Sequence, residues 1–544
     1  MSRAQNLIQK ANAKFSVALA AWLLAGSSLV SVALGLYREK MLASNYLYSL
    51  PNYLDAYQAA FRIPDFMYFV LVSGALSVTF IPVFNSRMAA GNKKSAWDLS
   101  SSLMNLLAIV TLVASILMMI FAEPLIRTIV APGLPDDVRD LAIAMMRIIA
   151  INPFLFAISS LLTSMQQAAG RFFFFTLAPV LYNIGIIIGI TFLTQEITIF
   201  GQTIWEGGIM GVALGVVLGS ILQLIVSSLG MIGMKFDYRP LIFWKNKGFR
   251  QVLRLLPARS FDQGIDYFTT LVETNLASRL GAGAIAMYQM ALTLHFVPIN
   301  LIGVAISTAF FPKMTERMES GRIDLFKAEL ISVLRVIIWL AMPVAVFIYL
   351  CRGYLVGILV TEGSTVIAGV LGMLTIAVLF RSIFHIASRS FYAQQDTKTP
   401  LYISIAVITL NIVLAIWLAQ PSVLGIYGLA LAQSLVAVVE VLILFYIMQT
   451  RIKGLFGGQF WSGIIRMVAA TGLMYIVTYV MINLVPFTRN DQTFIAVILK
   501  LAVIGTISFG AYAVFSHLFR LQEIKPIIAK VKSVIFRNYP TVKK

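Results

Sequence analysis

Fourteen apolar stretches, each long enough to cross a lipid bilayer, occupy most of this 544-residue chain. About 20 consecutive apolar residues span the hydrocarbon core as a helix, and a helix satisfies its own backbone hydrogen bonds there. The pattern therefore predicts an all-α polytopic membrane protein with about 14 transmembrane helices. The predicted spans run roughly over 16–37, 55–84, 99–122, 141–165, 172–193, 207–233, 252–279, 283–312, 327–351, 364–393, 399–419, 422–448, 463–485 and 494–519.

Composition supports a membrane protein and excludes several classes of site. Hydrophobic residues make up 59% of the chain and charged residues only 12%, whereas soluble domains carry about 25% charged residues. Cys351 is the single cysteine, so one chain has neither a disulfide framework nor a thiolate metal site. The three histidines (His295, His385 and His517) are too scattered in the sequence to indicate a metal centre.

The basic residues that give the chain its net charge of +19 are distributed unevenly among its loops. The excess lysines and arginines fall in alternate loops, including five between residues 235 and 250 and a basic tail after residue 524. The positive-inside rule places such loops in the cytoplasm, which predicts that both termini are cytoplasmic. Basic loops on that side also contact anionic membrane lipids, and this distribution argues against nucleic acid as a partner.

An internal repeat divides the chain. The segment Ser77–Pro82 near the end of span 2 recurs as Ser307–Pro312 near the end of span 8, and Gln166-Gln167 recurs as Gln394-Gln395. The two offsets, 230 and 228 residues, agree. Because six crossings preserve direction, the repeat predicts two parallel six-helix lobes, as in other transporters. The predicted domains are 1–233, 234–450 and a third region, 451–544, with two extra helices and the basic tail.

Charged side chains lie inside several spans, where an ionised group costs about 2.5–3.5 kcal/mol by insertion scales. Asp55, Arg62 and Asp65 share one face of span 2 because they are seven and three residues apart. This face predicts a polar, protein-lined cavity. An alternative places Asp55 at the outer interface and pairs Arg62 with Asp65.

Two later spans carry further charges. Arg259, Asp262 and Asp266 share one face of span 7, either as a structural network or as a substrate-binding face. In span 10, Arg381, His385 and Arg389 form a basic stripe, which suits a phosphate or pyrophosphate because a planar guanidinium binds it bidentately. Arg389 alternatively snorkels at the cytoplasmic end of its span.

No catalytic or nucleotide-binding signature is found in the sequence. The sequence therefore indicates a transporter and not an enzyme, with no cofactor and with transport that is passive or coupled to a cation gradient or the membrane potential. Glu273 and Asn411, which are polar groups deep in their spans, are the candidates for binding a coupling cation.

Several motifs resemble one transporter family. They are Leu34–Glu39, Asp55-Ala56, Phe61–Pro64, Gly74–Pro82, Ala131–Gly133, Leu177–Pro179 with Asn183, Gly303–Ala305 and, most specific of all, Ser390–Pro400. In these segments the chain resembles the MurJ/MviN family of lipid II flippases, within the multidrug/oligosaccharidyl-lipid/polysaccharide exporter superfamily. The resemblance implies two six-helix lobes around a central cationic cavity, with the last two helices forming a groove for a lipid tail.

The chain departs from this family at cavity positions. The family usually has arginines where this chain has Val32, Tyr68 and Thr293, and an acidic residue where it has Ser73. We therefore predict that Arg62, Arg259 and Arg381 bind the pyrophosphate instead. Arg38 and Asp55, at positions where the family has similar charge, are predicted to form an outer gate.

The resulting prediction is a flippase that moves a polyprenyl-pyrophosphate-linked peptidoglycan precursor, lipid II, from the inner to the outer leaflet by alternating access. Alternatives are a flippase for another lipid-linked oligosaccharide, a drug or cation exporter of the same superfamily, a membrane-embedded transferase and a lipid-binding scaffold. Expected partners are the lipid-linked precursor, membrane lipids and cell-wall synthesis proteins. The expected location is the bacterial cytoplasmic membrane.

Overall fold

The computed structural model describes residues 17–73, 79–199, 202–360, 363–488, 493–526 and 528–529. Within these ranges, the side chains of residues 17–22, 25, 73, 197, 199, 202, 204, 257–263 and 265–266 are not described. The side chains of Arg259, Asp262 and Asp266 therefore lie outside the described residues. So do Ser77 and Val78 of the first repeat motif, the basic residues before Val17 and the basic tail after Ala529.

The chain is an all-α polytopic membrane protein, as predicted. Eleven helices among the described residues are long and apolar enough to cross a membrane. The exact number of fourteen spans stays a prediction. A short antiparallel hairpin of β1 (Ile197–Ile199) and β2 (Gln202–Trp205) is added to the helices.

The chain forms two compact units, Met1–Ala286 and Met287–Lys544. The predicted domain boundaries at residues 233 and 450 stay a prediction. The α-helices of the first unit are α1 (Val17–Leu42), α2 (Pro51–Tyr68), α3 (Ile81–Ala89), α4 (Lys93–Ile120), α5 (Ala122–Pro124), α6 (Asp136–Ile149), α7 (Asn152–Ala168), α8 (Phe173–Ile188), α9 (Met210–Leu229) and α10 (Lys247–Ala277).

The second unit begins within α11 (Ala284–Pro298). Its remaining α-helices are α12 (Ala305–Glu319), α13 (Ile323–Leu359), α14 (Thr365–Ala393), α15 (Lys398–Leu418), α16 (Ile426–Arg451), α17 (Gly458–Leu484) and α18 (Phe494–Leu518). Segments of π-helix occur at Ala43–Leu47, Phe69–Ser73, Leu125–Val130, Gly189–Leu193 and Ile299–Val304.

Several helices begin at a side-chain cap. The Asn92 side chain accepts a hydrogen bond from the Ser95 N–H at the start of α4, at 3.1 Å. The Asn246 side chain accepts from the N–H groups of Gly248 and Phe249 at the start of α10. Such caps satisfy the amides that have no partner within the first turn of a helix.

The repeat is visible in the second and eighth predicted spans. In each, an α-helix passes into a π-helical segment, and the two segments begin at Phe69 and Ile299, 230 residues apart. This spacing equals the 230-residue offset between the Ser77–Pro82 and Ser307–Pro312 motifs. A π-segment removes the regular i→i−4 hydrogen bonds locally and is often found at functional sites.

Glycines allow α8 and α9 to approach closely in the first unit. A Cβ atom built on Gly185 would lie 2.3 Å from the Cα of Gly219, and one on Gly189 would lie 2.4 Å from the Cα of Gly215. Only glycines fit this contact, which is the small-residue packing typical of membrane helices.

The last two helices pack on α13 in the second unit. The Arg335 guanidinium bonds the Glu523 carboxylate at 2.5 Å, and the Trp339 indole N–H donates to the Ser516 hydroxyl at 3.1 Å. The Tyr512 hydroxyl donates to the Trp339 carbonyl at 2.9 Å. The Trp339 and Tyr512 side chains lie in an apolar cluster of the second unit, where few alternative partners exist.

Candidate functional site

Asp55 caps a helix that is distant in the sequence. Its side chain is fully buried. One carboxylate oxygen accepts from the Gly283 N–H at 2.7 Å and the other from the Ala286 N–H at 2.8 Å, at the start of α11. The negative charge therefore lies at the positive end of the helix dipole. The gate role of Asp55 stays a prediction beside this structural role.

Arg38 lies in α1 and hydrogen-bonds two side chains of the described residues. Its guanidinium bonds the Glu39 carboxylate at 2.7 Å and the Asn183 side-chain oxygen at 3.4 Å. Asn183 in turn donates to the Ser31 hydroxyl at 3.2 Å. The network connects α1 to α8, and Glu39 is only 5% exposed. The structure thus pairs Arg38 with Glu39, while its predicted gate role stays a prediction.

Arg62 and Asp65 lie in α2, and both side chains are half-buried. Arg62 and Arg38 both interact electrostatically with the Asp65 carboxylate. Arg38, Glu39, Arg62 and Asp65 are hereafter called the first-unit charge cluster. Two arginines and two carboxylates balance one another in this cluster, so a phosphate would have to compete with carboxylates for the guanidinium groups.

The positions that lack an arginine carry neutral side chains with local roles. Val32 is 48% exposed. The Tyr68 hydroxyl shares a hydrogen bond with the Ser160 hydroxyl at 2.8 Å. The Thr293 hydroxyl donates to the Gln289 carbonyl within its own helix at 3.0 Å.

Arg381 of the second unit is paired with an acid that the sequence analysis did not select. Its guanidinium bonds the Glu440 carboxylate at 3.0 Å, and the Ser404 hydroxyl donates to the other oxygen of that carboxylate at 3.0 Å. Glu440 is 2% exposed, whereas the Arg381 side chain is 29% exposed. One edge of the guanidinium therefore neutralises a buried charge, and the remainder is accessible.

The residues of the predicted basic stripe, Arg381, His385 and Arg389, all lie on α14, and each has different neighbours. Arg381 lies over the Phe384 ring at 5.7 Å, and Arg389 lies over the Phe311 ring at 5.9 Å. His385, which is half-buried, lies on the side of α14 that faces Gly303 in the π-segment. The aromatic faces favour cations, so they help to hold both guanidinium groups in place.

Glu273 and Asn411 are both almost fully buried, each 2% exposed, in different units. The side-chain oxygen of Asn411 accepts no hydrogen bond from the described part of the chain. In that part, no group of three or more His, Cys, Asp and Glu side chains is arranged to hold a metal ion. The cation-binding role of Glu273 and Asn411 stays a prediction.

Comparison with known proteins identifies the family. The family model described as "Lipid II flippase MurJ" matches residues 48–504, which is most of the chain. The chain belongs to this family. The resemblance found in the sequence motifs is thereby confirmed, and the chain is a member of a transporter family.

Curated MurJ relatives align along most of their length. A probable lipid II flippase MurJ of Thermotoga maritima is 27% identical over 499 residues, covering 91% of this chain and 95% of the relative. The lipid II flippase MurJ of Burkholderia cenocepacia is 28% identical over 440 residues, covering 77% of this chain and 81% of the relative.

Solved structures share the fold. A structure titled "Lipid II flippase MurJ, inward closed conformation" superposes with a TM-score of 0.71 at 24% identity, covering 95% of this chain and 99% of that chain. An inward-facing multidrug resistance MATE family transporter of the MOP superfamily gives a TM-score of 0.64 at 16% identity, covering 79% of this chain and 96% of that chain. These likenesses confirm the predicted fold class.

Glu440 is the main residue of this MurJ family member that sequence reasoning missed. It is a single carboxylate near the middle of an apolar helix, and such residues are rare and usually functional. That signal was available in the sequence. Its pairing with Arg381 could not be predicted from the sequence, because a whole helix separates α14 from α16 in the chain.

Proposed function

We propose that this chain is a lipid II flippase, which moves the polyprenyl-pyrophosphate-linked peptidoglycan precursor from the inner to the outer leaflet by alternating access. The observation that carries the proposal is the match of the MurJ family model over residues 48–504. The buried charges support the proposal. An ionised group inside the membrane costs free energy, and a membrane protein that retains such groups uses them to bind a polar substrate or an ion.

Arg62, Arg259 and Arg381 are the proposed pyrophosphate-binding residues. Arg62 contributes a half-buried guanidinium in the first unit, and Arg381 contributes a partly exposed one in the second. Guanidinium groups bind phosphates bidentately and remain charged at any working pH. Arg38 and Asp55 are proposed to act at the outer gate, and their present partners keep both side chains in fixed positions.

Binding of lipid II measured by native mass spectrometry tests these assignments. We expect Arg62→Ala and Arg381→Ala each to weaken binding about tenfold or more, since a hydrogen bond to a charged group contributes about 1.5–3 kcal/mol. The triple variant that also carries Arg259→Ala should bind least. Arg322→Ala, which removes an exposed arginine outside the apolar helices, is the matched control. Unchanged binding in the triple variant would refute the assignment.

A flippase for another lipid-linked oligosaccharide is the second candidate. The neutral Val32, Tyr68 and Thr293 at positions where the family usually has arginines favour it. Competition distinguishes the two, since lipid II should displace a lipid-linked oligosaccharide at equal concentration if it is the substrate. Stronger binding of the oligosaccharide would support the second candidate.

Transport is proposed to be coupled to a cation gradient or the membrane potential, with Glu273 and Asn411 as cation-binding candidates. Burial of a carboxylate and of an amide oxygen supports the proposal, because oxygen ligands suit alkali and alkaline-earth cations. Transport by Glu273→Gln should lose its dependence on the ion gradient, and an unchanged dependence would reject the role of Glu273.

The cytoplasmic membrane is the proposed location, with both termini in the cytoplasm. The alternate distribution of basic loops supports this orientation. Cell-wall synthesis proteins are proposed as partners, because they consume the translocated precursor. Cysteine accessibility at positions in the loops tests the orientation.

A further inference from the structure

The segment between α9 and α10 is fixed along the side of α4. The Asn105 side chain is the main attachment, since its NH₂ group donates to the carbonyls of Arg239 at 2.8 Å and Leu241 at 3.0 Å. Its oxygen accepts from the Tyr238 hydroxyl at 2.8 Å. Further bonds run from the N–H groups of Arg239 and Phe243 to the hydroxyls of Ser101 and Ser102. Residues 235–246 are hereafter called the docked segment.

A groove of about 500 Å³ lies between the docked segment and α4. Ala108 and Ile109 line one side, and Pro240, Leu241 and Trp244 line the other. The groove is open, because Ile109, Leu241 and Trp244 are 55–60% exposed. Exposed apolar side chains that line a concave surface indicate a binding site for an apolar ligand or a lipid.

The position of the groove along α4 places it at the membrane interface. Among the described residues, Asn105 is the last in α4 that hydrogen-bonds the docked segment, and Ile109 follows about 6 Å further along the helix axis at 1.5 Å per residue. Exposed apolar side chains continue from Ile109 through Val113, Ile116 and Ile120, which marks the lipid-facing side of a span. The groove therefore opens onto the lipid at the depth where head groups meet acyl chains.

The charge of the surrounding chain selects the kind of lipid. Five basic side chains and one acidic side chain lie between residues 235 and 250. Arg239 is largely occupied by Asp237 at 2.7 Å, whereas Lys245 and Lys247 are exposed. The Arg250 guanidinium donates to the Trp244 carbonyl at 2.7 Å, which places it beside the groove. Tryptophan next to basic residues is typical of the membrane–water interface.

We propose that this groove binds an anionic phospholipid. One acyl chain lies against Ile109 and Leu241, the glycerol region contacts Trp244, and the phosphate is bound by Lys245 and Arg250. Basic groups near anionic lipid contribute about 1 kcal/mol each, or about fivefold in binding. The site is independent of the proposed transport function, because none of these residues belongs to the predicted substrate site.

Photocrosslinking of the full-length protein in lipid nanodiscs tests the proposal. Phosphatidylglycerol or phosphatidylcholine with a diazirine in one acyl chain is included at equal mole fraction, and labelled peptides are mapped by mass spectrometry. We expect phosphatidylglycerol to label residues 105–109 and 240–244 at least about fivefold more than phosphatidylcholine. Labelling should fall at high salt, which screens exposed charges. Equal labelling by the two lipids would overturn the proposal.

Two pairs of variants complete the test. Lys245→Gln with Arg250→Gln should reduce the labelling by phosphatidylglycerol about fivefold or more, whereas Arg322→Gln with Lys398→Gln, two exposed basic residues elsewhere, should not. Ala108→Trp fills the groove and should reduce labelling, whereas Val113→Trp on the same helix should not. Unchanged labelling in the first variant of either pair contradicts the proposal. Displacement of the phospholipid by equimolar lipid II would assign the groove to the transported substrate instead.

Discussion

The buried carboxylate of Asp55 accepts a hydrogen bond from the backbone N–H of Ala286 at 2.8 Å, although 231 residues separate them. Its second oxygen accepts from Gly283, so one side chain satisfies two amides at the start of α11. In a dry environment these amides have no water to replace a lost partner. Asp55 thus fixes where α11 begins relative to α2.

We expect Asp55→Ala to destabilise the protein by about 2–5 kcal/mol, because two buried N–H groups would lose their acceptor. Asp55→Asn should cost less, since the amide retains one acceptor oxygen. The thermal unfolding midpoint in detergent measures both effects. Asp137→Ala, which removes an exposed aspartate at the start of α6, is the control. An Asp55→Ala midpoint no lower than that of the control would contradict the capping role.

The pair Arg381–Glu440 predicts non-additive effects. Arg381→Ala leaves the buried Glu440 carboxylate without its counter-charge, which costs about 3–5 kcal/mol when such a pair is broken. Arg381→Met combined with Glu440→Gln should be more stable than Arg381→Ala alone, because neither charge is then buried unpaired. Thermal unfolding of the two variants tests the pairing, and lower stability of the double variant would disprove it. Lipid II binding by the double variant then reports the binding role of Arg381 separately from its structural role.

Gly303 is expected to tolerate no side chain. A Cβ atom there would lie 2.6 Å from the Cα of Ser382 in α14. Gly303→Ala should therefore cost about 1–3 kcal/mol through overpacking. Gly353→Ala in α13 is the control, because no atom lies within 4 Å of its Cβ position and alanine favours a helix by about 1 kcal/mol. Equal unfolding temperatures for the two variants would contradict the close approach of the π-segment and α14.

Asp396, in the turn between α14 and α15, predicts a dependence on pH. Partial burial raises the pKa of its carboxyl, but hydrogen bonds from Thr399 and the Arg451 guanidinium at 2.7 Å outweigh this effect and lower the pKa to about 2. An aspartate has an ordinary pKa of about 3.9. The carboxylate therefore adds stability above about pH 4, and this contribution is lost as the pH falls from about 4 to about 2.

Asp396→Asn should accordingly lower the unfolding temperature at pH 7. The difference from the unsubstituted protein should shrink below about pH 4, because the aspartate of the unfolded chain then becomes protonated, whereas the folded carboxylate does so only near pH 2. Asp324→Asn, at the exposed start of α13, controls for a general effect of charge removal. A difference that stays constant between pH 7 and pH 3 would contradict the role assigned to Asp396.

Hydropathy predicted most of the membrane-spanning helices. The helices that carry several charges differ from the others more than hydropathy indicated. Three predicted spans, 16–37, 55–84 and 252–279, do not appear among the eleven apolar candidates in the described ranges. Two of these, 55–84 and 252–279, carry the charge constellations around Arg62 and Arg259. An average over a window counts a charged residue against a span, whereas the structure buries the Asp55 side chain completely.

The partners of most charged side chains could not be predicted from the sequence. The interaction of Arg62 with Asp65 was one of two alternatives, but the spacing of the charges did not indicate that Asp55 binds amides of α11. Partners such as Glu440 for Arg381 depend on which helices pack together, and helical periodicity carries no information about that. The π-segments were likewise not predicted, because the hydropathy of a span does not indicate its hydrogen-bond pattern.

The most direct test of the proposed flippase function is whether the chain brings lipid II to the outer leaflet of the membrane in cells. In a bacterial strain depleted of its own flippase, the chain should restore lipid II to the outer leaflet, where an externally added lipid II-cleaving enzyme can release its head group. Arg322→Ala should restore it equally, and Arg62→Ala should restore it about tenfold less. Failure of the unsubstituted chain to restore outward lipid II, when it is present and folded in the membrane, would contradict the account.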